Sequence, residues 1–192
     1  MAPPFQSRRA HTVVEAVNWT RAAGPQRKTV IVLHCMEAEW SAETCAAYFA
    51  GKLNGGAPKA SAHFAVDHDS FVQMVPADRI AWHAAGCNTP SIGIEIPGFA
   101  KWERARWLSK QSAQALRNAA ELVAELSEHF QIPCEFIDAE DLKAKLTGIT
   151  THEQVSIAFG KSTHWDPGKG FPVRDFLDWT RSYTSSAWTE IV

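Results

Sequence analysis

The stretch Thr29-Val30-Ile31-Val32-Leu33-His34 decides how the chain is read. Its unbroken run of β-branched and apolar residues is the pattern of a strand buried on both faces. Such strands lie inside sheets covered by helices, and this one delivers a histidine at its C-terminal end. Outward from it, Ser91-Ile92-Gly93-Ile94-Glu95-Ile96 reads as a second short strand, closed by Pro97-Gly98. Residues 62–66 and 71–75 read as a hairpin around the polar loop Asp67-His68-Asp69-Ser70. Ser41 caps a helix with the apolar stripe Ala42, Cys45, Ala46, Phe49 and Leu53, which Asn54-Gly55-Gly56 stops. The spacing of Leu116, Ala120, Val123 and Phe130 predicts a long helix over 110–130, terminated by Ile132-Pro133. Pro172 opens a last helix, docked by Phe176, Leu177 and Trp179. Strands mixed with helices give an α/β class: a single domain with a mixed central β-sheet flanked by helices. Residues 1–28 read as an N-terminal arm, 29–181 as the folded domain and 182–192 as a tail.

Composition narrows the function. The chain has 192 residues with 19 Lys and Arg against 21 Asp and Glu, a formal charge of −2. That length suits one domain, and the near-neutral balance gives no basic footprint for nucleic acid. No apolar run approaches the ~20 residues of a membrane-spanning helix. Arg8 and Arg9 are not followed by an apolar segment, so no signal peptide is expected. The four cysteines, Cys35, Cys45, Cys87 and Cys134, form no closely spaced pair, which disfavours a thiolate zinc site and suits buried free thiols. Eight histidines and eight tryptophans remain to be explained.

His34 stands out because a buried strand aims its last side chain at a cleft. A second group lies at Thr151-His152 and Thr163-His164-Trp165-Asp166-Pro167-Gly168, read as loop. Two imidazoles and a carboxylate are standard zinc donors, and three protein ligands leave a fourth position open. Glu95 sits among isoleucines, on the same strand face as Gly93 and opposite Ile94 and Ile96. A carboxylate partly desolvated there acquires a raised pKa and suits proton transfer, whereas an edge strand would simply expose it. Gly93 leaves room for a close approach. Cys35 alternates away from His34, into the core.

Taken in order, Val30-Ile31-Val32-Leu33-His34, Ala60-Ser61-Ala62-His63-Phe64, Ala81-Trp82-His83-Ala84 and Ser91-Ile92-Gly93-Ile94-Glu95 resemble the zinc-dependent type 2 N-acetylmuramoyl-L-alanine amidases. His152 with Asp166-Pro167-Gly168 completes the pattern, whose arrangement is most similar to phage endolysins and their peptidoglycan recognition protein relatives. The resemblance implies that fold, and cleavage of the amide between N-acetylmuramic acid and L-alanine of the peptide stem. It implies Zn²⁺ held by His34, His152 and Asp166, with Glu95 as general base. Many members carry a lysine two residues before the last ligand, where this chain has His164. His164 is then either the group that stabilises the oxyanion or a third imidazole ligand in place of Asp166; the following Pro167-Gly168 favours Asp166. Imidazole loses its proton nearer neutrality than lysine, so the first role predicts activity that falls on the alkaline side.

Around this site, His63 and His83 read as structural or groove-lining, and His11, His68 and His129 as surface. Trp82 and Trp165 read either as groove walls for sugar rings or as core. The segment 101–110 reads as a solvated loop. The expected partner is peptidoglycan, met by a monomer with neither nucleic acid nor membrane insertion. Without a signal peptide, the expectation for a phage protein is synthesis in a host cytoplasm followed by action on the wall after release. Otherwise the expectation is a cytoplasmic enzyme recycling wall fragments. A non-catalytic wall-binding module and a zinc hydrolase of another amide are the alternatives. Binding-only relatives lack the last ligand, which Asp166 supplies here.

Overall fold

The computed structural model describes residues 5–21 and 24–184. Its elements run β1 (Thr12–Val13), β2 (Trp19–Thr20), β3 (Val30–Cys35), α1 (Ala42–Phe49), β4 (Phe64–Val66), β5 (Phe71–Gln73) and β6 (Ile80–Ala81). There follow β7 (Ser91–Ile96), α2 (Arg104–Trp107), α3 (Lys110–Phe130), α4 (Ala139–Lys143), β8 (Gly148–Thr151), α5 (His152–Phe159) and α6 (Val173–Tyr183). The tail expected from residue 182 lies outside the described residues from 185 on.

The apolar stretch read first is β3, and it is buried along its whole length. It pairs in parallel with β7 on one side and β8 on the other. The β4–β5 hairpin is antiparallel, and β4 joins β7 in parallel, so the sheet is mixed in the order β1-β5-β4-β7-β3-β8. A separate antiparallel ribbon joins β2 to β6.

The strand period of two sorts the side chains of β3 and β7 onto opposite faces. Ile31, Leu33 and Cys35 join Ile92, Ile94 and Ile96 in the main core, closed by α3 and α6 through Leu116, Leu122, Leu126 and Phe176. Truncating any one of these buried leucines to alanine costs roughly 2–5 kcal/mol. Val30 and Val32 point the other way, against Cys87, Leu142 and Val155. His34, Ser91, Gly93 and Glu95 continue that second face. Apolar burial on the α3 side thus holds the sheet while its other face carries polar groups.

Several local expectations change. The first helix ends at Phe49, with Ala50 as its C-cap, short of Asn54-Gly55-Gly56. The segment 101–110 is not a solvated loop: it contains α2, and Trp107 is fully buried between Trp102 and Phe171. Its basic residues face outward, Arg104 onto Asp175 and Arg106 onto Glu39 and the Trp102 ring. Charge in the sequence masked an apolar anchor on the same turn. The N-terminal arm carries β1 and β2 and is strapped over α3. There Ser7 Oγ donates to Glu125 Oε2 at 2.7 Å and the Arg8 amide donates to Glu125 Oε1 at 2.8 Å. No helix among the described residues is long and apolar enough to cross a membrane.

Lys28 closes the arm onto the sheet. Its buried ammonium donates to the carbonyl oxygens of Thr89 at 3.0 Å and Ser91 at 2.9 Å. Burial pulls its pKa from 10.5 to about 7, against the opposing charge of Asp78. Between those two values the unfolded chain binds more protons than the folded one, so this residue's contribution makes stability rise with pH. Lys28→Met is therefore expected to lose ground to the parent protein as the pH of urea unfolding is raised from 7 to 10. A pH-independent difference between the two would contradict the shift.

Candidate metal centre and its cleft

Three backbone arrangements bring the candidate donors together. One residue before the end of β3, His34 lies in register beside Glu95 of β7. The last registered pair between β3 and β8 is Leu33 with Thr151, so the next residue, His152, comes level with His34. Thr151 then caps α5 by accepting from the Gln154 amide, which makes His152 the first residue of a helix rather than part of a loop. That corrects the loop reading of residues 151–152. The strand β8 (Gly148–Thr151) escapes a sequence reading because it is short and half polar; its buried Thr150 hydroxyl donates to the Ile137 carbonyl oxygen at 2.7 Å. Asp166 returns from the segment after α5, and its carbonyl oxygen accepts from the Glu153 amide at 3.0 Å.

His34, His152 and Asp166 are all buried, and their ligand atoms lie within 4.8 Å of one another, close enough that they could hold a metal ion. His34 Nδ1 is 3.2 Å from Asp166 Oδ2, and His152 Nδ1 is 3.1 Å from Asp166 Oδ1. The Cys35 amide lies 3.4 Å from Asp166 Oδ2. Burial works to raise the Asp166 pKa, but the two imidazoles override it and hold the carboxyl well below the usual range. Burial lowers the His34 pKa and lowers those of His63 and His83 strongly, which favours neutral rings with a lone pair to offer. Gly168 follows because nothing larger fits: at φ +85° its Cβ would meet the Ala100 carbonyl oxygen at 1.8 Å.

His164 stands outside the convergent three. Its ring stacks on His152 at 4.4 Å between centroids, its side chain is 64% exposed, and Nδ1 is 3.5 Å from Asp166 Oδ1. Glu95 opens onto the same cleft. Burial, and then the charge of Asp166, raises its carboxyl to about 8. The cleft encloses about 470 Å³ and is walled by Trp40, Tyr48, Phe49, Lys59 and Trp82 beside the histidines. Trp82 is thus a wall residue, whereas Trp165 is exposed next to His164 on the neighbouring rim. Cys35 is buried in the main core, opposite His34, as alternation requires.

His83, read from the sequence as structural or groove-lining, does line the cleft, and its Nδ1 is 3.0 Å from His34 Nε2. The signal was Gly93: a Cβ there would lie 2.5 Å from the His83 ring, so the close approach that glycine permits is made by this imidazole. His63 is structural, accepting at Nδ1 from the Gly93 amide at 2.9 Å and facing the Arg79 carbonyl oxygen with Nε2. His11 and His129 are exposed, and so is His68 beside the hairpin loop.

A family profile described as N-acetylmuramoyl-L-alanine amidase matches residues 24–169. No curated protein matches the chain. Among solved structures it is similar to a selenomethionine derivative of AmpD, with a TM-score of 0.66 at 19% identity, covering 96% of this chain and 99% of that one. It is also similar to the Staphylococcus aureus hydrolase AmiA in complex with its ligand, with a TM-score of 0.63 at 18% identity over 92% and 88% of the two chains. The N-acetylmuramoyl-L-alanine amidase LysC from Clostridium intestinale URNW gives 0.56 at 18%, over 91% and 99%. At these identities the likeness is one of fold.

The electrostatics of the cleft can be checked without substrate. In metal-free protein, the Glu95 carboxyl carbon is expected to titrate near 8 by NMR. Asp166→Asn removes a like charge and is expected to lower that value. An unchanged Glu95 titration in the variant would show that Asp166 does not act on it.

Proposed function

Because the chain belongs to the N-acetylmuramoyl-L-alanine amidase family, we propose that it is a zinc-dependent peptidoglycan hydrolase. The bond cleaved is the amide between the lactyl group of N-acetylmuramic acid and L-alanine of the stem. The observation that carries this reading is the convergence of His34, His152 and Asp166 in a cleft that Glu95 also enters. Two buried imidazoles, plus one carboxylate, fit Zn²⁺ with a position left for substrate. His34, His152 and Asp166 would hold the ion, and His164 would not. When bound, zinc supplies Lewis acidity that polarises a carbonyl oxygen and makes water more acidic.

The rest of the chemistry belongs to the chain's own groups. Amide hydrolysis needs a base for the attacking water, charge stabilisation at the carbonyl oxygen and a proton for the leaving nitrogen. Glu95 takes the water proton onto a carboxylate oxygen as the new C–O bond forms. It hands that proton to the nitrogen as the C–N bond breaks, leaving the lactyl carboxylate and a free amine. Burial, which raises the Glu95 pKa in the metal-free site, makes its ionised form a stronger base than an exposed carboxylate. His164, on the open side of His152, donates an N–H to the developing oxyanion. Trp40 and Trp82 offer aromatic faces to sugar rings and keep water from the bond. The same reading has the protein working as a monomer on wall strands, as a phage endolysin does, with no nucleic acid or membrane partner.

HPLC of digested, purified peptidoglycan tests the activity: free stem peptides with intact glycan strands are expected, and zinc bound without peptide release would favour binding alone or another amide. Clearing of intact sacculi, rather than cleavage of soluble fragments only, tests the endolysin use. Glu95→Gln is expected to keep zinc and lose about 10²–10⁴ in rate. His164→Ala is expected to keep zinc and lose about 10²–10³, with partial return in His164→Lys. Asp166→Ala should lose zinc on dialysis. Zinc lost from the His164 variant and kept by the Asp166 variant would reverse the two assignments.

A further inference from the structure

His34 faces Asp166 with Nδ1, and behind it a chain of polar contacts runs away from the cleft. His34 Nε2 lies 3.0 Å from His83 Nδ1, and His83 Nε2 lies 3.1 Å from Ser91 Oγ. Ser91 Oγ donates to the Cys87 carbonyl oxygen at 2.6 Å. The direction of the whole chain is set at this far end. A carbonyl oxygen only accepts and a hydroxyl has one proton, so Ser91 commits its proton to Cys87 and accepts from His83 Nε2–H. A neutral His83 then presents a bare Nδ1, which accepts from His34 Nε2–H. The lone pair of His34 is left on Nδ1, on the side of Asp166.

From this geometry, and resting on the metal reading above, we propose that His83 and Ser91 are positioning residues for the metal centre. Together they fix the ring orientation and tautomer of His34 so that Nδ1 is a ready donor. Ligating histidines are commonly held in this way through the ring nitrogen that does not bind the metal. The chain is itself braced. Asn88 Oδ1 accepts from the amides of His83 at 3.0 Å and Ala84 at 2.7 Å, and Lys28 grips the Ser91 carbonyl oxygen. Gly93 provides the space for the His83 ring. A consequence follows at Asp166. A lone pair and a carboxylate oxygen 3.2 Å apart repel, and a cation shared between them removes the repulsion. Among neutral rings, moving the His34 proton to Nδ1 would also relieve it, but only by switching the His83 tautomer and breaking the Ser91–Cys87 hydrogen bond.

Two measurements test the proposal. Long-range ¹H–¹⁵N NMR of the metal-free protein is expected to find the His34 proton on Nε2, and a proton on Nδ1 would overturn the relay without any variant. Competition with a chromophoric chelator then measures zinc affinity. Ser91→Ala and His83→Leu are expected to bind zinc about tenfold or more weakly, with Ser91→Thr close to the parent protein because it keeps the hydroxyl. Ser91→Ala protein that folds, keeps the His34 tautomer and binds zinc as tightly as the parent would also overturn it. A parent protein that takes up no zinc defeats the metal reading instead, and the tautomer alone then decides whether the relay exists.

Discussion

The buried carboxylate of Asp166 is the constraint on which the functional half of this protein depends. An ionised carboxylate out of water costs several kcal/mol unless partners surround it. Here His152 Nδ1 at 3.1 Å and the more distant Cys35 amide can donate to it, and His34 Nδ1 at 3.2 Å faces it across the space a shared cation would fill. They come from two distant stretches of chain: the end of one central strand, which carries His34 and Cys35, and the start of a helix, which carries His152. Satisfying one carboxylate therefore pins the segment after α5 against the sheet. The Pro167-Gly168 turn and the Glu153 amide fix the approach from the other side.

The sheet separates stability from chemistry by the simplest periodicity available. Odd positions of β3 and even positions of β7 are apolar and lie under α3 and α6. The alternate positions carry His34, Ser91, Gly93 and Glu95 on the opposite face. Burial on that face is what gives the polar groups their character. It favours the neutral form of the imidazoles and raises the Glu95 carboxyl, while the paired Asp166 stays ionised. The same desolvation that makes these groups costly makes them suited to donate lone pairs and move protons.

Much of this was legible beforehand. The apolar run 29–33 and the alternation of 91–96 located the two central strands, and the residues read as ligands and base are those that converge. The helix over 110–130 matches α3 because long amphipathic periodicity is hard to mistake. What failed was short or mixed in character. The strand β8 has a glycine and two threonines in four positions, and its burial follows from pairing with β3. The basic segment around Trp107 hides a core anchor, since charge on one side of a single helical turn says nothing of the other.

By itself, the sequence determined the class of fold, the face on which each residue of the two central strands lies and the chemical types available to the site. Side-chain periodicity and donor chemistry are local properties, so they survive without coordinates. Only the tertiary structure decided that His152 comes level with His34, that Asp166 rather than His164 enters the buried cluster, and that His83 stands behind His34. Each of these depends on strand register, on where a segment returns or on a hydrogen-bond direction set by a carbonyl outside the cleft lining. Such relations exist only once distant segments are packed together.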